Sequence, residues 1–79
     1  MAWREVTLGG TRWNVSVIAE RAAQANGWRL VLSFRAPATR RPSVWAAYPI
    51  ESSSKAALFA QAERLSDDKL ADALARQIG

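Results

Sequence analysis

Cysteine and histidine are both missing from this chain. Without cysteine there are no disulfides, thiolate metal sites, iron–sulfur clusters or thiol nucleophiles. Without histidine the commonest metal ligand and the commonest general base are gone. No apolar run reaches the roughly 18–20 residues that a membrane-spanning helix needs. The opening Met1-Ala2-Trp3-Arg4-Glu5 lacks the apolar core of a secretory leader. A cytoplasmic protein with no membrane partner is therefore expected. The chain also has no GxxxxGK[ST] or GxGxxG phosphate loop. Its carboxylates do not converge. Asp67 and Asp68 are adjacent, so they point apart on a helix and read as first-turn charge, not as a metal pair. These absences together predict a non-enzyme with no cofactor and no metal.

What is present is an ordinary globular balance. The chain has 79 residues, 49% of them hydrophobic and 23% charged, enough for one small domain. The initiating Met and a helix ending at Gly79 read as a whole small protein. There are four tryptophans, and of the eleven basic residues only Lys55 and Lys69 are not arginine. Arginine stacks on aromatic rings and forks onto carboxylates or phosphates, whereas lysine is a strongly hydrated point charge. A GC-rich coding bias would equally enrich Arg and Ala.

Charge is unevenly placed. Residues 1–50 carry seven Arg against Glu5 and Glu20, a balance of +5; residues 51–79 come to −1, giving the overall +4. The local structure divides at the same point, into a sheet half (1–50) and a helical half (51–79) of a single domain, 1–79. Trp3–Leu8 and Thr11–Ala19 flank Gly9-Gly10, a hairpin signal because a two-residue turn needs positive φ. Asn26-Gly27 marks a turn before a third alternating run, Trp28–Arg35. Pro37 and Pro42 bracket a loop with Arg40 and Arg41, and a fourth strand covers Ser43–Ile50. Pro49 should stop ladder pairing or lie at an edge.

Ser52-Ser53-Ser54 offers N-caps for a helix over Lys55–Leu65, whose Leu58, Ala62 and Leu65 make one stripe. Ser66 is a second cap, with Leu65 and Leu70 placed as a hydrophobic staple around it. The expected fold is α+β: a four-stranded antiparallel sheet built of two hairpins, then one bent or two short C-terminal helices packed on one face.

A two-residue turn sets Leu8 opposite Thr11, Val6 opposite Trp13 and Arg4 opposite Val15, and opposed residues share a face. The core face then collects Val6, Trp13, Val15, Leu30, Leu32 and Phe34. The other face holds Trp3, Arg12, Arg29, Val31, Arg35 and Trp45, beside the loop with Arg40 and Arg41. Arg4 falls on the core face, where a strand-end arginine can snorkel. Basic residues interleaved with aromatics suit single-stranded nucleic acid, because charge follows the backbone and rings stack on bases. The candidate binding residues are thus Trp3, Arg12, Arg29, Arg35, Arg40, Arg41 and Trp45, with single-stranded DNA or RNA as the partner. The plain alternative is a solvated sheet face with tryptophans at its edges.

The element order, four antiparallel strands before a helix, resembles that of Pur-type repeats and positive-coactivator-type domains. That resemblance implies dimerisation and single-strand binding; it rests on element order alone and transfers no residues. A second function class is a self-associating interaction module, a homodimer or a partner for another protein. In it, Trp3, Val31 and Trp45 centre an interface, since Trp and Arg are enriched at hot spots.

Overall fold

The computed structural model describes residues 3–22, 27–39 and 42–78. Four antiparallel strands, β1 (Arg4–Leu8), β2 (Thr11–Arg21), β3 (Trp28–Arg35) and β4 (Val44–Ser52), lie in the order β1-β2-β3-β4. A short 3-10 turn (Pro37–Thr39) follows β3. Two helices, α1 (Lys55–Ala62) and α2 (Asp67–Ile78), complete the chain. The α+β architecture expected from the sequence is the one observed.

The Gly9-Gly10 turn sets the register of the first hairpin. Both glycines have positive φ, 58° and 79°, and Leu8↔Thr11, Val6↔Trp13 and Arg4↔Val15 pair across it. The side-chain alternation follows from that register and puts Val6, Trp13, Val15, Leu30, Leu32, Phe34 and Ala46 on one buried face. The indole N–H of Trp13 meets no acceptor although the residue is only 1% exposed.

Strand boundaries depart from the sequence reading where pairing overrides local polarity. β2 runs on through Glu20 and Arg21 because β3 supplies partners in Arg29 and Trp28. β4 extends to Ser52, but Tyr48 pairs with Leu30 and Glu51 with Arg29, so Pro49 and Ile50 bulge from the ladder. Pro49 lies in an edge strand at a bulge, where its missing N–H costs least. Asn26 of the second turn signal lies outside the described residues. Gly27 is described: its carbonyl accepts the Ala22 N–H at 3.1 Å.

The helical half is two helices, not one bent helix. Ser54 caps α1, its Oγ accepting the Ala57 N–H at 3.1 Å. The helix was expected to reach Leu65, but it stops at Ala62. There Arg64 and Leu65 switch to i→i−3 bonds to Gln61 and Ala62. Ser66 then caps α2 by accepting the Lys69 N–H at 3.2 Å. Leu65 and Leu70 are both buried around it, the staple its spacing implies. Leu58, Ala62, Leu65, Leu70 and Leu74 face the sheet and close one core cluster with the strand residues. α1 packs over β2, β3 and β4, and α2 crosses from β1 to β4.

Arg4 joins the two halves. It stands on the core face of β1 and reaches the end of α1, donating to the carbonyls of Leu65 and, at 3.1 Å, Glu63. Its guanidinium also lies 4.2 Å over the Trp3 ring and 3.6 Å from the Asp67 carboxylate. Helix-end carbonyls have no intrahelical donors, so a cation at this point supplies them.

Candidate interaction surface

Both α-helices pack on one side of the sheet; on the other, the 3-10 turn stands beside Glu5, Arg12 and Asn14 at one end, and no described α-helix covers the rest. Strand register arranges that uncovered side in rows. From one end they are Thr7–Arg12, then Glu5–Asn14–Arg35, then Ser16–Ser33–Trp45. Next come Ile18–Val31–Ala47 and finally Glu20–Arg29–Glu51.

The centre is apolar. Trp45 is 61% exposed, the largest exposed hydrophobic side chain among the described residues, and Ala47 beside it is exposed too. Val31 is 7% exposed yet lies outside the core cluster, so it sits low between its neighbours on this face. Ile18, its cross-strand partner, is half-buried.

The charges lie at the ends. Arg12 and Arg35 are exposed at one end and make no ion pair among the described residues. At the other end Arg29 donates to Glu20 Oε2 at 2.9 Å. The Arg29 pKa is raised, first by that hydrogen bond and then by the Glu20 charge, with a smaller contribution from Glu51. Across the rows three arginines (Arg12, Arg29, Arg35) meet three glutamates (Glu5, Glu20, Glu51), so the face is neutral but polarised. One end carries the surplus cation and the other the surplus carboxylate.

The sequence-derived residues are only partly brought together. Arg12, Arg29, Arg35 and Trp45 share the uncovered face as expected. Trp3 does not stand exposed among them. It precedes β1, so strand alternation does not bind it, and it is half-buried against the core cluster beneath the Arg4 guanidinium. Arg40 and Arg41 lie outside the described residues. Glu20 and Glu51 were missed because both strands were ended one residue before them; one further alternation step along each strand would have found them.

Elsewhere, β4 and α2 border a shallow recess of about 420 Å3 lined by Tyr48, Pro49, Asp68, Lys69, Asp72 and Arg76. Its charges are balanced, and Arg76 already pairs with Asp72 at 3.2 Å. Among the described residues, no cluster of acidic side chains could hold a metal ion, and no helix is long and apolar enough to cross a membrane. Compared with known protein families, characterised proteins and solved structures, the chain matches none.

Proposed function

We propose that this protein is a non-enzymatic, self-associating module whose uncovered sheet face docks on the same face of a second copy. The observation that carries this reading is the self-complementary character of the face. It has an apolar centre around Trp45, Val31 and Ala47, and equal numbers of Arg and Glu gathered toward opposite ends. A surface that must recognise itself needs both charges, whereas a phosphate track needs an excess of one. Four double-residue steps between the outer rows span about 27 Å, and the sheet is about 14 Å across its strand axes. With marginal side chains, the contact buries roughly 600 Å2 per copy, near the lower bound for a specific interface. Association in the range of about 10–500 µM follows from so small a contact.

Sedimentation equilibrium from about 10 µM to 1 mM tests it. The mass should rise from the 8.7 kDa monomer toward a dimer. Trp45→Ser should abolish that rise while leaving the thermal midpoint of the monomer unchanged, because the side chain contributes little to the monomer's core. A mass that stays at 8.7 kDa throughout, or a Trp45→Ser protein that associates as the parent does, overturns the reading.

A second reading, single-stranded nucleic acid, is favoured by one observation. Arg12 and Arg35 are both exposed at the same end of the face, with no ion pair among the described residues. Titration with an oligonucleotide at about 50 mM salt, followed by Trp fluorescence, decides it. Quenching with a log–log salt slope of about −2 or steeper would favour this reading over self-association.

A further inference from the structure

Resting on that self-association, we infer that the two copies pack with their strands running in opposite directions, related by a two-fold axis that crosses the strands. The level of the axis is the Ser16–Ser33–Trp45 row. Symmetry leaves two simple ways to lay a sheet face on its own copy. An axis along the strands puts each row over the same row of the partner. Arg12 and Arg35 would then face Arg12 and Arg35, and Glu20 and Glu51 would face their own copies. An axis across the strands reverses the order of the rows.

The reversed arrangement sets opposite charges together at the outer rows and lays the Glu5–Asn14–Arg35 row over the Ile18–Val31–Ala47 row. The Thr7–Arg12 row lands on the Glu20–Arg29–Glu51 row of the second copy. Arg12 and Glu20 are both on β2, equally far from the Ser16 level, so they meet directly. Arg35 lies over Val31 of the second copy. Its stem lies along the Ile18–Val31–Ala47 row, while its guanidinium extends toward the carboxylate end. The central row faces itself, and Trp45 meets Trp45 of the second copy across the axis. Each contact occurs twice, as an isologous interface requires. The twist of the sheets turns the strands about 30° from strict alignment, which the long arginine side chains can follow.

The absence of cysteine makes the arrangement directly readable, since any cysteine introduced is the only one present. In the reversed packing, Arg12 positions of the two copies stand about 27 Å apart along the strand direction, whereas Arg12 of one copy and Glu20 of the other face each other across the roughly 10 Å between packed sheets, too far for a disulfide but within reach of a short bismaleimide. Arg12→Cys and Glu20→Cys are prepared separately and treated with a short bismaleimide, alone and as an equimolar mixture. The mixture should give a covalent heterodimer, and each variant alone should stay monomeric on a denaturing gel. Ser33→Cys, near the axis, should cross-link to itself. As a second measurement, Arg12→Gln/Arg35→Gln should weaken association at least about threefold, and raising salt should weaken the parent similarly. Like-over-like packing gives the opposite sign, because removing those cations relieves repulsion.

Self-linking of Arg12→Cys, failure of the mixture to link, or tighter association of the Gln variant would overturn the reversed packing, while a parent that still dimerises keeps the module reading intact. A parent that is monomeric throughout removes both.

Discussion

Replacing Arg4 with Ala should be among the most damaging single changes outside the core. The guanidinium makes two hydrogen bonds, to the carbonyls of Leu65 and Glu63, at the point where α1 ends and α2 begins. Hydrogen bonds from a charged donor contribute about 1.5–3 kcal/mol each when shielded, and these belong at the low end because the side chain keeps partial contact with water. Stacking on Trp3 adds about 0.5–1 kcal/mol. The Asp67 ion pair adds little, since at 3.6 Å its carboxylate is largely in solvent. Allowing for water that replaces part of the lost bonding, the total is about 2–3 kcal/mol.

Urea denaturation followed by circular dichroism measures it. In a domain of this size, a loss of 2–3 kcal/mol lowers the thermal midpoint by roughly 10–20 °C. Two further substitutions separate the causes. Arg4→Lys keeps the charge but cannot fork onto two carbonyls, so it should recover less than about half of the loss. Asp67→Asn should cost under about 0.5 kcal/mol. If Arg4→Ala is within about 0.5 kcal/mol of the parent, or Asp67→Asn is as damaging as Arg4→Ala, the clamp between β1 and the α1–α2 junction is not what holds the halves together.

Two other outcomes are expected. Gly9→Ala and Gly10→Ala should each cost about 1–2 kcal/mol, purely from positive φ, because a Cβ at either position meets nothing within 4 Å; Gly9→Asn should recover most of it in the same urea assay. The unfolding midpoint should vary little between about pH 6 and 9, because no side chain here ordinarily titrates in that window and the Arg29 pKa moves upward from an already alkaline value. A group with a raised pKa lends stability that is complete below its ordinary value and lost only as pH climbs through the raised one, so any Arg29 contribution disappears only in strong alkali.

Much of the fold was legible because local signals were redundant. Gly9-Gly10 specified a turn length, the turn length specified a register, and the register assigned the faces of β1 and β2. Alternation then carried the assignment to β3 and β4. It survived the bulge at Pro49 and Ile50 because two extra residues preserve the period of two, where a single one would have exchanged the faces. The helix break was legible as Ser66 with its flanking leucines, although whether the backbone bends or stops there depended on the 3-10 bonds at Arg64 and Leu65. Strand ends were not legible in Glu20-Arg21 or Glu51-Ser52, since polar residues there are held in place by cross-strand partners that no local window contains.

The site was harder to read, because charge summed along a sequence is not charge summed over a face. The +5 of residues 1–50 looked like one basic surface. In the fold it disperses. Arg4 turns under the sheet to the helix junction, and Arg21 lies 5.1 Å over Trp28, whose ring also takes Lys55 at 4.4 Å. Arg29 is matched by Glu20, and Glu51 arrives on the same row from the other half of the chain. Among the described residues, what remains on the uncovered face is Arg12 and Arg35 with Glu5 at one end and a surplus carboxylate at the other, with Trp45 between them. That distribution has no net charge to draw a polyanion from solution, but it has a direction, and two such faces attract only when one is reversed. The same three arginines that suggested a nucleic-acid surface as a sum suggest a self-recognising one as an arrangement.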